Sequence, residues 1–109
     1  MGDIGIVYIE GAVCAVYVHW NGRELLEWLK TARMPRDPDY ATARLIGHLH
    51  VLIQVGGLSV LPPPSGVSDS DLRAYSHGDA GVLTVNDAGV IRAHGGYYCG
   101  KKLGTVEWL

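Results

Sequence analysis

The chain has no phenylalanine, so three tryptophans and six tyrosines carry all of its aromatic packing. Only two cysteines occur, Cys14 and Cys99, and there is no paired C-x-x-C of a zinc or redox motif. No run of about 18 apolar residues exists, which excludes a membrane-spanning helix. The opening Met1-Gly2-Asp3-Ile4 lacks a basic region and an apolar core of the kind that makes a signal peptide. A cytoplasmic chain with reduced thiols is therefore expected, although counting alone leaves a Cys14–Cys99 disulfide open. Cys14 lies in an apolar alternating run and reads as core. Cys99, in Gly-Tyr-Tyr-Cys-Gly, is expected to be the more accessible.

An excess of one charge is also missing. Nine basic residues face eleven acidic ones, for a net charge of −2. A protein gripping several phosphates needs a surplus or a stripe of Lys and Arg. Here the basic residues are scattered, and Lys101-Lys102 beside glycines reads as a turn. A protein imitating DNA needs dense carboxylates, and eleven with nine opposing cations do not supply them. Direct binding to nucleic acid is not expected.

What the chain has in plenty is glycine, 15 of 109 residues, with five prolines and no repeat. That composition implies one turn-rich folded domain over residues 1–109. Ile4 to Ile9 and Val13 to Val18 are rich in β-branched and aromatic residues, and Glu10-Gly11 between them supplies a turn. They read as a hairpin. Both strands are apolar on both faces. This implies helices on one side and a partner, such as a second copy of the chain, on the other.

At Asn21-Gly22-Arg23-Glu24 the pattern resembles a capping box opening a helix, with Leu25, Leu26, Trp28 and Leu29 at helical spacing. Asp37-Pro38-Asp39 starts a second helix. Its apolar stripe is Ala41, Leu45, Leu49, Leu52 and Ile53, and Gly56-Gly57 supplies the stop. Gly47 within it is read as a place where another backbone comes close. Residues 62–71 read as a surface linker, and Ser68-Asp69-Ser70-Asp71 as the cap of one short turn through Leu72 and Tyr75. Strands follow at Val82 to Val85 and Val90 to Ala93, then Tyr97 to Cys99 and a last segment at Thr105 to Leu109. The expected fold is α+β in the order ββααβββ: an antiparallel sheet with two helices packed on one face. Leu25, Leu29, Leu45, Leu49 and Leu52 are expected between the layers.

No catalytic set assembles in the sequence. None of the five histidines has a metal spacing, and His48 and His50 point roughly 200° apart on a helix. Neither a metal nor a cofactor is expected. The candidate ligand-binding residues are His19, Trp20, Asn21 and Arg23, with His77 and Asp79. Trp20 offers a stacking face, His19 a switchable donor, Arg23 a guanidinium, and the helix start free N–H groups for an anion. His77-Gly78-Asp79 sets an imidazole near a carboxylate before a strand. Ser76 adjoins them, but a nucleophile–base–acid set needs separated elements.

The run Val16-Tyr17-Val18-His19-Trp20-Asn21-Gly22 resembles the Y-x-H-W-D-G-Y-P signature of small proteins encoded by phages, prophages and some prokaryotes. His77-Gly78-Asp79 is similar to their H-G-D element. Asn21 stands where that signature has Asp, and Arg23-Glu24 where it has Tyr-Pro. The resemblance implies a phage-like origin and a compact α+β fold, and it implies no activity. The resulting expectation is a non-enzymatic binding protein, a phage accessory or anti-defence factor. It would sequester a small anionic or nucleotide-like ligand or block a host protein, and self-associate. The competing expectation is a small hydrolase or transferase using His19 or His77 as general base.

Overall fold

The computed structural model describes residues 2–53 and 56–109. Its elements are β1 (Gly5–Ile9), β2 (Ala15–Val18), a 3-10 turn (Gly22–Glu24), α1 (Leu25–Thr31), α2 (Pro38–Leu52), β3 (Leu58–Leu61), α3 (Asp69–Tyr75), β4 (Gly81–Val85) and β5 (Ile91–His94). The five strands form one sheet in the order β3-β2-β1-β4-β5. The fold is α+β, as the sequence implies.

The sheet is mixed. Pairs β1–β2, β2–β3 and β4–β5 are antiparallel, whereas β1 and β4 run parallel, with Gly5 opposite Gly81 and Ile9 opposite Val85. A parallel pair needs a crossover, and the stretch from β2 through α3 provides it. Two expected elements change as a result. β3 adds a strand where none is expected, and the expected linker shortens because Asp69 to Asp71 belong to α3. Ser68 caps that helix by accepting from the Asp71 amide at 3.2 Å. The third carboxyl-terminal strand of the expected order does not form among the described residues: Tyr97 to Cys99 and Thr105 to Leu109 belong to a looped tail. Among the described residues its ladder contacts are the single bridges Val90–Thr105 and Met34–Trp108. Gly95, Gly96, Gly100 and Gly104 in left-handed conformation turn the chain there and prevent an extended run.

The hairpin is apolar on both faces because both are covered within the chain. Val7, Ile9, Val16 and Val18 pack with Leu25, Leu29, Leu45 and Leu49 of α1 and α2. Ile6, Tyr8 and Ala15 pack instead with Leu72 of α3 and Val82. The two expected helices share one face, and α3 lies on the other. The hairpin face expected to meet a second copy is therefore covered within the chain. Among the described residues no strand lies beyond the outer edge of β3.

Asp37 caps α2 as expected, accepting from the amides of Asp39 and Tyr40 at 3.1 and 3.2 Å. The helix ends at Leu52. Ile53 is already extended, which turns its side chain into the core before the glycines are reached. Leu25, Leu29, Leu45 and Leu49 are buried, but Leu52 is 41% exposed. It falls in the last turn, at the margin of the buried stripe. Gly47 admits no close neighbour: a Cβ there would meet nothing within 4 Å. Among the described residues no helix is long and apolar enough to cross a membrane. Both cysteines are free thiols, Cys14 partly buried and Cys99 exposed.

Candidate binding surface

The two sequence motifs meet in space around the segment Gly2–Ile4. The Asp3 amide donates to the His19 carbonyl at 2.8 Å, and the Gly22 amide donates to the Asp3 carbonyl at 2.7 Å. On the other side the Ala80 amide donates to the Ile4 carbonyl at 2.8 Å, and the Ile4 amide to the Asp79 carboxylate at 3.0 Å. Gly22 is required by this clasp. A Cβ there would lie 2.7 Å from the Asp3 carbonyl oxygen and 2.8 Å from Ala80 Cβ.

The start of α1 is not the open anion cradle that the capping-box reading implies. Asn21 makes no side-chain cap, and its amide donates to Glu24 Oε1 at 3.1 Å. The Arg23 amide is instead taken by the Asp3 carboxylate at 3.0 Å. The Leu26 amide is taken by the Tyr98 hydroxyl at 3.2 Å, which itself donates to the Gly22 carbonyl at 2.7 Å. Tyr98 is buried, and desolvation pushes its hydroxyl pKa up, keeping it a neutral bridge. Asp3 and Tyr98 cap this turn from distant positions, a pairing no local pattern reveals.

The Arg23 guanidinium stands 3.9 Å from Asp3 and 4.9 Å from the centre of the Tyr97 ring, with Lys101 Nζ 4.6 Å from the same ring. Beside it an open depression of about 310 Å³ is lined by Gly2, Asp3, Arg23 and Asp79. Two carboxylates thus share that hollow with one cation. Tyr97 is 42% exposed and escaped the sequence reading. Its signal is the glycine-flanked string Gly96-Tyr97-Tyr98-Cys99-Gly100, followed by two lysines.

Trp20 is 49% exposed, so it is not a core plug. Its ring is nevertheless held. His19 meets it edge-on with centroids 4.3 Å apart, and a Cβ on Gly57 would lie 2.8 Å from its Cδ1. The His19 amide donates to the Gly57 carbonyl at 2.8 Å, fixing the backing loop. Tyr17 joins the motifs: its hydroxyl lies 3.0 Å from His19 Nδ1, and its ring takes His77 edge-on at 5.8 Å. His77 is exposed, and Asp79 is committed to the Ile4 amide rather than to an imidazole. Among the described residues no carboxylate orients either histidine.

A chain of polar contacts that the sequence did not disclose joins the β4–β5 edge of the sheet to α3. His94 Nδ1 lies 2.8 Å from Asp69 Oδ1, and His94 Nε2 lies 3.1 Å from Thr84 Oγ1. Asp69 Oδ2 accepts from Arg73 Nε at 2.7 Å, and Arg73 extends to Cys99 Sγ at 3.5 Å. An ionised carboxylate only accepts, so His94 Nδ1 carries the proton of its bond to Asp69. The bond order imitates a nucleophile–base–orienter set. Thr84, however, is 1% exposed, so its hydroxyl serves packing between β4, β5 and α3.

The hydrogen bond from His94, followed by that from Arg73, holds the Asp69 carboxyl below its ordinary range. Its folded pKa is depressed, so its stabilisation is complete above the unfolded value near about 3.9 and is lost as pH falls through the folded value. Asp69→Asn should therefore flatten the acid limb of the stability curve below about pH 4, read by urea melts across pH. An unchanged acid limb would remove Asp69 from that role.

Among the described residues no three His, Cys, Asp or Glu side chains stand together as metal ligands. Compared with known proteins, the chain matches no family model, no curated protein and no solved structure.

Proposed function

We propose that this chain is a non-enzymatic binding protein, acting in the cytoplasm, that blocks a partner protein through a contact centred on Trp20, Arg23 and Tyr97. The observation that carries this reading is Trp20, half exposed yet braced by His19 and the Gly57 backbone. A ring already fixed in place loses little entropy when a partner covers it. Trp, Tyr and Arg are also the residue types that dominate binding energy at protein interfaces.

A nucleotide-like anion at Arg23 is less well served. Asp3 already pairs with the guanidinium, Asp79 adds a second carboxylate to the hollow, and the nearby amides are occupied. The resemblance of the two motifs to small phage-encoded proteins accords with an accessory or anti-defence role. A binder of this size would act there by covering a host protein's working surface.

The test is hydrogen exchange on the chain alone and in complex with a partner captured by it. Slowed exchange across residues 19–23 and 96–98 is expected. Protection confined to other segments would reject the assignment.

A further inference from the structure

A second surface, remote in sequence from both motifs, has a different chemistry. An open cleft of about 500 Å³ lies between the end of α1 and the middle of α2, lined by Thr31, Arg33, Ala43, Arg44, Gly47 and His48. Among the described residues no carboxylate lines it. Neither Arg33 nor Arg44 forms an ion pair among the described residues, whereas Arg23 and Arg73 both do. Two guanidiniums on one cleft wall repel each other unless an anion lies between them.

The cleft is also built rather than loose. Arg44 Nε donates to the Arg33 carbonyl at 3.3 Å, which ties the two arginine segments together. Thr31 Oγ1 donates to the Trp28 carbonyl at 3.1 Å, so toward His48 Nε2, also at 3.1 Å, it accepts. That contact pins the imidazole as a wall. Gly47 supplies the space, since a Cβ there would meet nothing within 4 Å. A glycine in mid-helix is unfavourable for the helix itself, and its packing against a neighbouring backbone is ruled out by the same distance. Along the rim, Lys30 and Arg33 share the adjoining cavity with Glu107 and Trp108.

We propose that this cleft binds a phosphoryl group, with Arg33 and Arg44 as its clamp and Gly47 leaving room for the ligand. Guanidinium forks match phosphate oxygens in pairs, and charge-assisted bonds of this kind are the strong ones. One phosphoryl group needs only these two cations, so the site is compatible with a chain of net charge −2 that does not grip nucleic acid. The inference is independent of the Trp20 surface, and either can fail without the other.

Amide NMR titration at constant ionic strength tests it, with inorganic phosphate, adenosine 5′-monophosphate and adenosine as probes. The two phosphate-bearing probes are expected to give saturable shifts at Thr31, Arg33, Arg44 and Gly47, and adenosine none. Tighter binding of the nucleotide marks a phosphate monoester as the ligand, and equal binding marks the free ion. Arg33→Gln and Arg44→Gln should each weaken binding about tenfold, as the loss of one charge-assisted contact implies. Gly47→Glu sets a carboxylate in the open space and should abolish binding, while Gly47→Ala keeps it. Both Gly47 variants improve helix propensity, so each is expected to fold. Phosphate shifts that do not saturate, that persist in Gly47→Glu, or that adenosine reproduces would overturn the proposal.

Discussion

Gly81→Ala is expected to remove roughly 2–6 kcal/mol of stability, because strain and overpacking each contribute about 1–3 kcal/mol. Gly81 opens β4 with φ of 78°, a left-handed conformation that suits glycine. A Cβ there would lie 2.1 Å from the Gly95 carbonyl oxygen and 2.9 Å from that of His94. Those atoms are backbone at the end of the neighbouring strand, so they cannot rotate away as a side chain would. The clash would force β4 and β5 apart at the end where His94 bonds Thr84. Against a total of about 5–15 kcal/mol for a domain, the loss is large. Gly100→Ala is the matched control. Its φ of 81° is nearly the same, but nothing lies within 4 Å of the added Cβ. It should lose only about 1–2 kcal/mol, the left-handed penalty alone. Thermal or urea unfolding of the pair separates conformation from packing. Equal losses would contradict the close approach of the strands at Gly81.

Leu45→Ala should cost about 2–5 kcal/mol, through lost burial and the cavity left between α2 and the sheet. Leu45 is fully buried in the cluster with Leu29, Leu49 and Val16. Leu52→Ala, in the same expected stripe, should cost under about 1 kcal/mol, as surface substitutions do. The difference in urea midpoint at constant slope measures it. Similar losses at both positions would place Leu52 in the core after all.

Much of the fold is legible in local pattern. The hairpin shows in its β-branched runs, and α2 shows in its Asp37-Pro38 start, because both depend on neighbours in sequence. The errors arise where long-range contacts decide. The parallel pairing of β1 with β4 joins segments some seventy positions apart, and no hydropathy pattern distinguishes it from an antiparallel one. α3 reads in sequence as no more than one short turn beside a linker, because its seven residues bury chiefly one leucine, Leu72. The apolar surplus on the hairpin suggests a missing partner, and α3 supplies the cover within the chain.

The binding surface divides in the same way. Trp20 and Arg23 follow from an unusual short string that stands out by composition, whereas the tie between the two motifs through Tyr17 shows only in the fold. Asn21 fails as a cap because Asp3 and Tyr98 reach the same turn first. Tyr97 comes into the surface only because the tail folds back to place its ring against Arg23. Arg33, Arg44 and His48 look scattered in sequence, and the packing of α1 beside α2 brings them to one cleft.

The most direct test of the central claim is calorimetric titration of the captured partner with wild-type chain and with Trp20→Ala, each checked by thermal unfolding. Trp20 is braced but half exposed, so truncating it should leave the melting transition close to that of the wild type. Binding should weaken by about 2 kcal/mol or more, the threshold of an interface hot spot and roughly thirtyfold in Kd. Wild-type affinity in a folded Trp20→Ala chain would contradict the account.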